Sequence, residues 1–174
     1  MRSIAVALLV LAVALPAVAE IDGASVSLIS PAVIVPGQTY TFSFNVQNAS
    51  GDNEAIKNVV VSFPDGFTLF PATMTYVPIV PVPLRPDWIM YVPPIDHTAR
   101  WDDANGALGE LFATESTVVT IDVTVATQLY GTPLFFCLEG DGTGAEPHQV
   151  CGCIYLSVSG VEPTTWTTIK SMYR

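Results

Sequence analysis

The chain has 174 residues, half of them apolar, with 16 Asp and Glu against 6 Lys and Arg and a formal net charge of −10. That balance argues against nucleic acid or an anionic membrane surface as the partner, because an acidic chain repels phosphate; it favours cations or basic partners without naming one. The length suits a single domain with a substantial core.

The N-terminus reads "MRSIAVALLVLAVALPAVAE": Arg2, an apolar run from Ile4 to Leu15, then Pro16 and the small-residue triplet Ala17-Val18-Ala19. Charge, apolar core and small residues in that order predict a secretory signal peptide over 1–19, cut after Ala19. A run of about 12 residues is shorter than the roughly 20 that cross a bilayer, and no second long apolar stretch follows, so no transmembrane segment is expected in the mature chain. Cleavage leaves 5 bases against 16 acids, a net charge of −11. The expected location is therefore extracellular, secreted or on the cell surface.

Period-two alternation dominates from Glu20 to Gly160, with no sustained helical stripe. In "TYTFSFNVQN", Tyr40, Phe42, Phe44 and Val46 share one side, and Thr39, Thr41, Ser43 and Asn45 the other. "NVVVSF" places Val59, Val61 and Phe63 together, and "STVVTIDVTVA" sets Val119, Ile121, Val123 and Val125 against Thr120, Asp122 and Thr124. Each pattern is that of a half-buried strand. Shorter strands are expected over Val26 to Leu28, Ala32 to Val35 and Ala99 to Trp101. Turn signals separate the runs at Pro36-Gly37, Gly51-Asp52-Asn53, Pro64-Asp65-Gly66, Asn105-Gly106 and Gly131-Thr132-Pro133. Short alternating strands punctuated by Pro and Gly predict an all-β antiparallel sandwich of seven to eight strands over 20–160.

The stretch from Phe70 to Trp101 interrupts this regularity with Pro71, Pro78, Pro81, Pro83, Pro86, Pro93 and Pro94. Proline donates nothing to a ladder, so an edge strand or a long crossing connection is expected here. Long connections in compact domains are often functional, and Tyr76, Trp88 and Tyr91 offer stacking faces for a sugar or peptide; large aromatics are more often packing.

Three cysteines lie in the last strand-like runs, "TPLFFCLEG" and "HQVCGCIYLSV", which flank a Gly-rich loop and predict a hairpin with its tip near Gly144. If Leu134, Phe136 and Leu138, with Val150, Ile154, Leu156 and Val158, face the core, then Cys137, Cys151 and Cys153 share the opposite face. A hairpin centred on Gly144 sets Cys137 against Cys151; one centred on Ala145 sets it against Cys153. In an exported chain a disulfide is the leading expectation, with Cys151 preferred and Cys153 the alternative partner; the third thiol is then available to another molecule. Zinc held by Cys137, His148, Cys151 and Cys153 is the competing reading, weakened because Cys-x-Cys is tighter than the usual zinc spacing. The plainest role for His148, behind Pro147, is a hydrogen bond to a loop carbonyl.

For calcium, "DDANG" supplies Asp102, Asp103 and Asn105, to which Asp141 and Glu146 could add oxygens. The twelfth position of an EF-type loop counted from either aspartate falls on Ala113 or Thr114, so that motif fails and only a looser surface site remains. Among catalytic arrangements, Asp96-His97 is the one adjacent acid-histidine pair, and Ser43, Ser62 and Ser116 the serines that could be imagined beside it. The chain shows no nucleophile elbow, phosphate-binding glycine loop or His-x-x-x-His pattern.

The succession "VPGQTYTFSFNVQN", "VVVSFPDGFTL", "ARWDDANGALGEL" and "TVVTIDVTVA" resembles the Ig-like modules of the CARDB and DUF11 type, from Val26 to Val158. The resemblance implies an Ig-like sandwich used as a structural or adhesive module of bacterial cell-surface and secreted proteins; the proline-rich insert is longer than such modules carry. The end, "VEPTTWTTIKSMYR", 161–174, is similar to C-terminal tails of the form Trp-x-x-Ile-Lys-x-x-Tyr-Arg on secreted proteins of Gram-negative bacteria. Trp166, Ile169 and Tyr173 would share one face of a short amphipathic helix, and an isolated helix of this length is marginal, so a short C-terminal helix or a mobile tail for sorting or docking is expected.

The sequence thus points to a non-catalytic module of a cell-surface protein assembly, with no cofactor. An extracellular carbohydrate- or calcium-binding module is the alternative, and an enzyme stands third.

Overall fold

A computed structural model describes residues 21, 23–51, 53–79, 85–94, 97–106, 109–127, 133–144 and 146–159. The expected signal peptide, Asp96, Ala145 and the tail with Trp166, Ile169 and Tyr173 lie outside the described residues. Among the described residues nine strands follow in order: β1 Ser25–Ser30, β2 Thr39–Gln47, β3 Ile56–Ser62, β4 Phe67–Tyr76, β5 Trp88–Tyr91, β6 Thr98–Asp103, β7 Ser116–Val125, β8 Pro133–Gly140 and β9 Gln149–Tyr155. They form two antiparallel sheets, one in the order β1-β2-β7-β4 and the other β5-β6-β3-β8-β9. Nine is more than the seven to eight expected, because the proline-rich stretch contributes strands of its own.

Each sheet turns one apolar face inward. Phe42, Phe44 and Val46 of β2 and Val119, Ile121, Val123 and Val125 of β7 are fully buried, opposite Val59 and Val61 of β3 and Leu134 and Leu138 of β8. The alternation read from sequence therefore selects the correct inner face of β2, β3 and β7. Phe42 meets Phe63, which follows β3, edge to face at 5.4 Å and so joins the two sheets across the core, and lies 6.3 Å from Phe67 of its own sheet. Such ring pairs contribute about 0.5–1.5 kcal/mol each beyond the area they bury.

The prolines fall where sheets tolerate them. Pro71 sits in β4, an edge strand whose pairing with β7 shifts register between Phe70 and Thr75. β5 is only four residues long, lies at the edge of the other sheet, and is followed by Pro93 and Pro94. The gap between these edges is closed by side chains: Trp101 Nε1 donates to Thr75 O at 3.1 Å, and Tyr76 packs edge to face on Trp88 at 5.9 Å. On the other flank the expected strand over Ala32 to Val35 reduces to a single parallel bridge, in which Ile34 N donates to Ser157 O and Ser159 N to Ile34 O, both at 2.8 Å. Pro31 and the Pro36-Gly37 turn bound the segment closely, and the Val35 amide donates to the Tyr40 hydroxyl at 2.8 Å instead of to a strand.

Candidate functional site

The sandwich has two unlike ends. At the upper end, where β2 and β8 finish and β3 and β9 begin, lie all five buried polar or charged side chains among the described residues: Asn48, Ser50, Glu54, Glu110 and Thr117. Asn48 ties three segments together, its Nδ2 donating to Glu54 O at 2.7 Å and Leu111 O at 2.8 Å while its Oδ1 accepts from Ser50 N at 3.0 Å. Buried polar groups endure only when so paired.

Glu54 has no solvent exposure. Its Oε1 accepts from Gly142 N at 3.1 Å and lies 2.8 Å from His148 Nδ1, so the carboxylate takes a hydrogen bond from the ring. The other ring nitrogen, Nε2, is 3.3 Å from Glu146 Oε1. The imidazole is thus clamped between two carboxylates, one buried and one exposed, across the mouth of the β8–β9 loop. The carbonyl expected to anchor His148 is replaced by the Glu54 side chain. Gly140 makes the approach possible: a Cβ there would stand 2.5 Å from Glu54 Cδ and 2.9 Å from its Cγ.

Two further acids serve the same loops. Glu110 Oε2 accepts from Asp87 N at 2.9 Å and Oε1 from Asn105 Nδ2 at 3.2 Å. Burial raises its pKa, with the neighbouring Asp103 and Asp87 carboxylates adding to the rise and the Asp87 amide opposing it. For Asp141, burial works upward, but donors from the Thr143 hydroxyl and amide and from the Gly109 and Ala55 backbone outweigh it, so the net pKa is lowered. A carboxylate with a lowered folded pKa stabilises the fold above its unfolded pKa, and that stability is lost as pH falls through the folded value. Asp141→Asn is therefore expected to lower the melting temperature at neutral pH and to approach the parent as the pH drops through the carboxylate range; a deficit independent of pH would contradict this.

The second cluster lies on the outer face of the five-stranded sheet. The β8–β9 register pairs Cys137 with Cys151, which corresponds to a hairpin centred on Gly144, and the two form a disulfide with a Cα separation of 4.1 Å. Cys153 is free and exposed, opposite Phe135. All three cysteines lie on the outward face, as the alternation requires.

Several expected sites do not assemble. Trp88 is 4% exposed and presents no face to a ligand, and Tyr76, half-buried, is packed edge to face against it. Tyr91 is exposed on β5, where its hydroxyl donates to Asp102 Oδ2 at 2.6 Å, a bond that, with burial and the Asp102 charge, raises the phenol pKa against the lowering effect of Arg100. The calcium set is dispersed. Asp102 and Asp103 are consecutive at the end of β6 and point to opposite faces, the first to Tyr91 and Arg100, the second to the amides of Asn105 and Gly106. Asn105 bonds to Glu110, Asp141 to Thr143 and Gly109, and Glu146 to His148. Zinc at Cys137, His148, Cys151 and Cys153 is excluded as an arrangement, because Cys137 and Cys151 have spent their thiolates on each other and His148 is turned to Glu54. Among the described residues no group of three or more His, Cys, Asp or Glu is placed to hold a metal ion. His97 sits in the left-handed region with φ 47°, its carbonyl accepting from Phe63 N.

Glu54 was not singled out in the sequence, where it stands in "SGDNEAIKN" like any acid of a solvated turn. The one available signal was its place directly before the apolar pair Ala55-Ile56, both buried.

Set beside solved structures, the molecule is an Ig-like β-sandwich. The full-length major pilin SpaD of Corynebacterium diphtheriae superposes with a TM-score of 0.50 at 9% identity, covering 75% of this chain and 34% of the pilin, so the chain spans about a third of that protein's length. An uncharacterized protein of Nocardia farcinica with an immunoglobulin-like fold gives a TM-score of 0.41 at 15% identity, covering 76% of this chain and 97% of that one. AvmM, which catalyzes macrocyclization in alchivemycin A biosynthesis, gives 0.42 at 16% identity, covering 79% and 90%. At these identities the likeness concerns the fold alone. No family model matches the chain, and no curated protein does.

Proposed function

We propose that the chain is an exported, non-catalytic structural and interaction module acting at the cell surface. The observation that carries this reading is where the polar chemistry goes. The groups from which an active centre would be built, Glu54, His148, Glu110 and Asp141, are all engaged in holding loops to the upper end of the sandwich. The Cys137–Cys151 staple supports an oxidising compartment, the arginine, apolar run and small-residue triplet before Glu20 support export, and the fold shared with a major pilin supports a place in a surface assembly. The Trp-x-x-Ile-Lys-x-x-Tyr-Arg ending supports sorting or docking at that surface.

The test is surface accessibility on intact producing cells, using a membrane-impermeant amine label and external protease, alongside the intact mass of the recovered chain. The expected result is labelling and proteolysis without lysis, and a mass that begins at Glu20. Retention of an unlabelled chain inside intact cells would overturn the reading.

A further inference from the structure

Among the described residues, strand β9 has one side paired with β8 and no strand on the other, and the hairpin register determines which groups face that side. Gly140 N donates to His148 O at 2.8 Å, which makes that pair a hydrogen-bonded one. In an antiparallel ladder the two kinds of pair alternate. Counting along the register, Leu138/Val150, Phe136/Gly152 and Leu134/Ile154 are hydrogen-bonded pairs, whereas Glu139/Gln149, Cys137/Cys151, Phe135/Cys153 and Pro133/Tyr155 are not. Pro133, which has no N–H, occupies one of the positions that requires none. The amides and carbonyls of Gln149, Cys151, Cys153 and Tyr155 therefore point away from β8. Two and four residues beyond Tyr155, Ser157 O and Ser159 N have the same direction and are taken up by Ile34; for the four upstream residues no strand among those described takes that place.

Natural sheets blunt such edges with proline, charge, bulges or shortness. The other three edges here are blunted: β1 has a register shift between Leu28 and Ser30 and is followed by Pro31, β4 contains Pro71 and a shift, and β5 has four residues. β9, with the sequence QVCGCIY, has seven residues, no proline, no charge and no shift.

We propose that the open edge of β9 pairs with β9 of a second copy of this chain, antiparallel about a two-fold axis, joining two five-stranded sheets into one of ten strands. A chain of net charge −10 repels its own copies, and the uncharged β9 is where two of them can approach. The beside-lying outer face is apolar, with Phe135 53% and Tyr155 78% exposed on either side of Cys153. An occupant must be extended and must supply donors and acceptors at the matching spacing; β9 itself meets both conditions, and strand pairing about a two-fold is self-complementary. With the axis at Cys153 the new ladder runs from Cys151 to Tyr155 of each copy and stops before Ser157, which Ile34 occupies; it brings the Cys153 residues of the two copies into a hydrogen-bonded pair with Cα atoms about 5.5 Å apart, a distance a disulfide spans. A small-molecule disulfide can close that link: one Cys153 thiolate attacks it and expels a thiol, and the second copy's Cys153 attacks the mixed disulfide and expels the other. Two protein thiols and one small disulfide become one protein disulfide and two small thiols.

The pairing deepens the module reading and rests on it for its setting. It is tested on the full chain in solution by sedimentation under reducing conditions, and by non-reducing mass analysis after incubation with oxidised glutathione. The parent is expected to sediment as a dimer when reduced and to acquire a Cys153–Cys153 link with oxidised glutathione. Cys153→Ser should dimerise without the link. Cys153→Pro removes an N–H directed only at the open edge, so it should be folded and monomeric, with a melting temperature that, unlike the parent's, does not rise with concentration; Tyr155→Lys, which charges the edge without a backbone change, should also be monomeric. A reduced parent that stays monomeric at its highest soluble concentration, or a folded Cys153→Pro or Tyr155→Lys as dimeric as the parent, would overturn the pairing. Loss of the dimer with surface labelling retained would sink this inference and leave the module reading standing.

Discussion

Gly140→Ala should be among the most damaging single-methyl additions in the molecule. The new Cβ would occupy the space of the Glu54 carboxyl group, which is fully buried and held by His148 and the Gly142 amide. Either β8 moves, disturbing its pairing with β3 at Ile56, or the carboxylate leaves its partners and stays buried without them. Overpacking and broken buried hydrogen bonds of this kind cost about 2–4 kcal/mol. Glu54→Ala alone should also destabilise, since it strands the His148 ring. The double variant is the informative one, because removing the carboxylate makes room for the methyl group. A double-mutant cycle by denaturant unfolding is expected to show at least ~1 kcal/mol of favourable coupling. Strict additivity would mean that the contact between Gly140 and Glu54 is not what excludes a side chain there.

The disulfide should carry a comparable share. Replacing Cys137 and Cys151 together with alanine opens a loop whose ends are 14 residues apart. By the chain-entropy estimate a closure of this size contributes about 3 kcal/mol, which for a domain of this length is a fall of ~10 °C in melting temperature. Cys153→Ser should leave the melting temperature of the monomer unchanged, and alkylation of the unfolded, non-reduced chain should find one thiol per molecule. A double-alanine variant that melts with the parent, or three reactive thiols in the parent, would contradict the bridge. The double replacement is preferable to a single one because Cys153, two residues along the same face of β9, could otherwise take up the orphaned Cys137.

What was readable in the sequence was whatever depends on alternation within one strand. The inner faces of β2, β3 and β7 follow from period two alone, and the same rule puts three cysteines outside, where the hairpin register joins Cys137 to Cys151. Less readable was what depends on which strands become neighbours. Trp88 and Tyr76 looked like free aromatic faces because nothing local to them says that β4 and β5, on different sheets, meet and pack them together. Asp102 and Asp103 looked like a chelating pair in a loop, whereas β6 runs on through both and the pleat separates them. Glu54 passed unnoticed because its partner, His148, lies 94 residues away. An acid in a turn-like sequence is ordinary until a distant hairpin folds over it.

The parallel bridge between Ile34 and Val158 records that β1 and β9 run in the same direction along one flank. β1 therefore starts at the upper end, whereas β9 finishes at the lower. A tension applied between Ser25 and Val158 runs lengthwise along the strands. It loads the β1–β2 and β8–β9 hydrogen bonds side by side in shear, so that they must give way together, and does not peel them apart one at a time. The Cys137–Cys151 bond crosses the second of these interfaces and pins it against sliding. A pull along the strands would therefore meet both ladders and the disulfide at once.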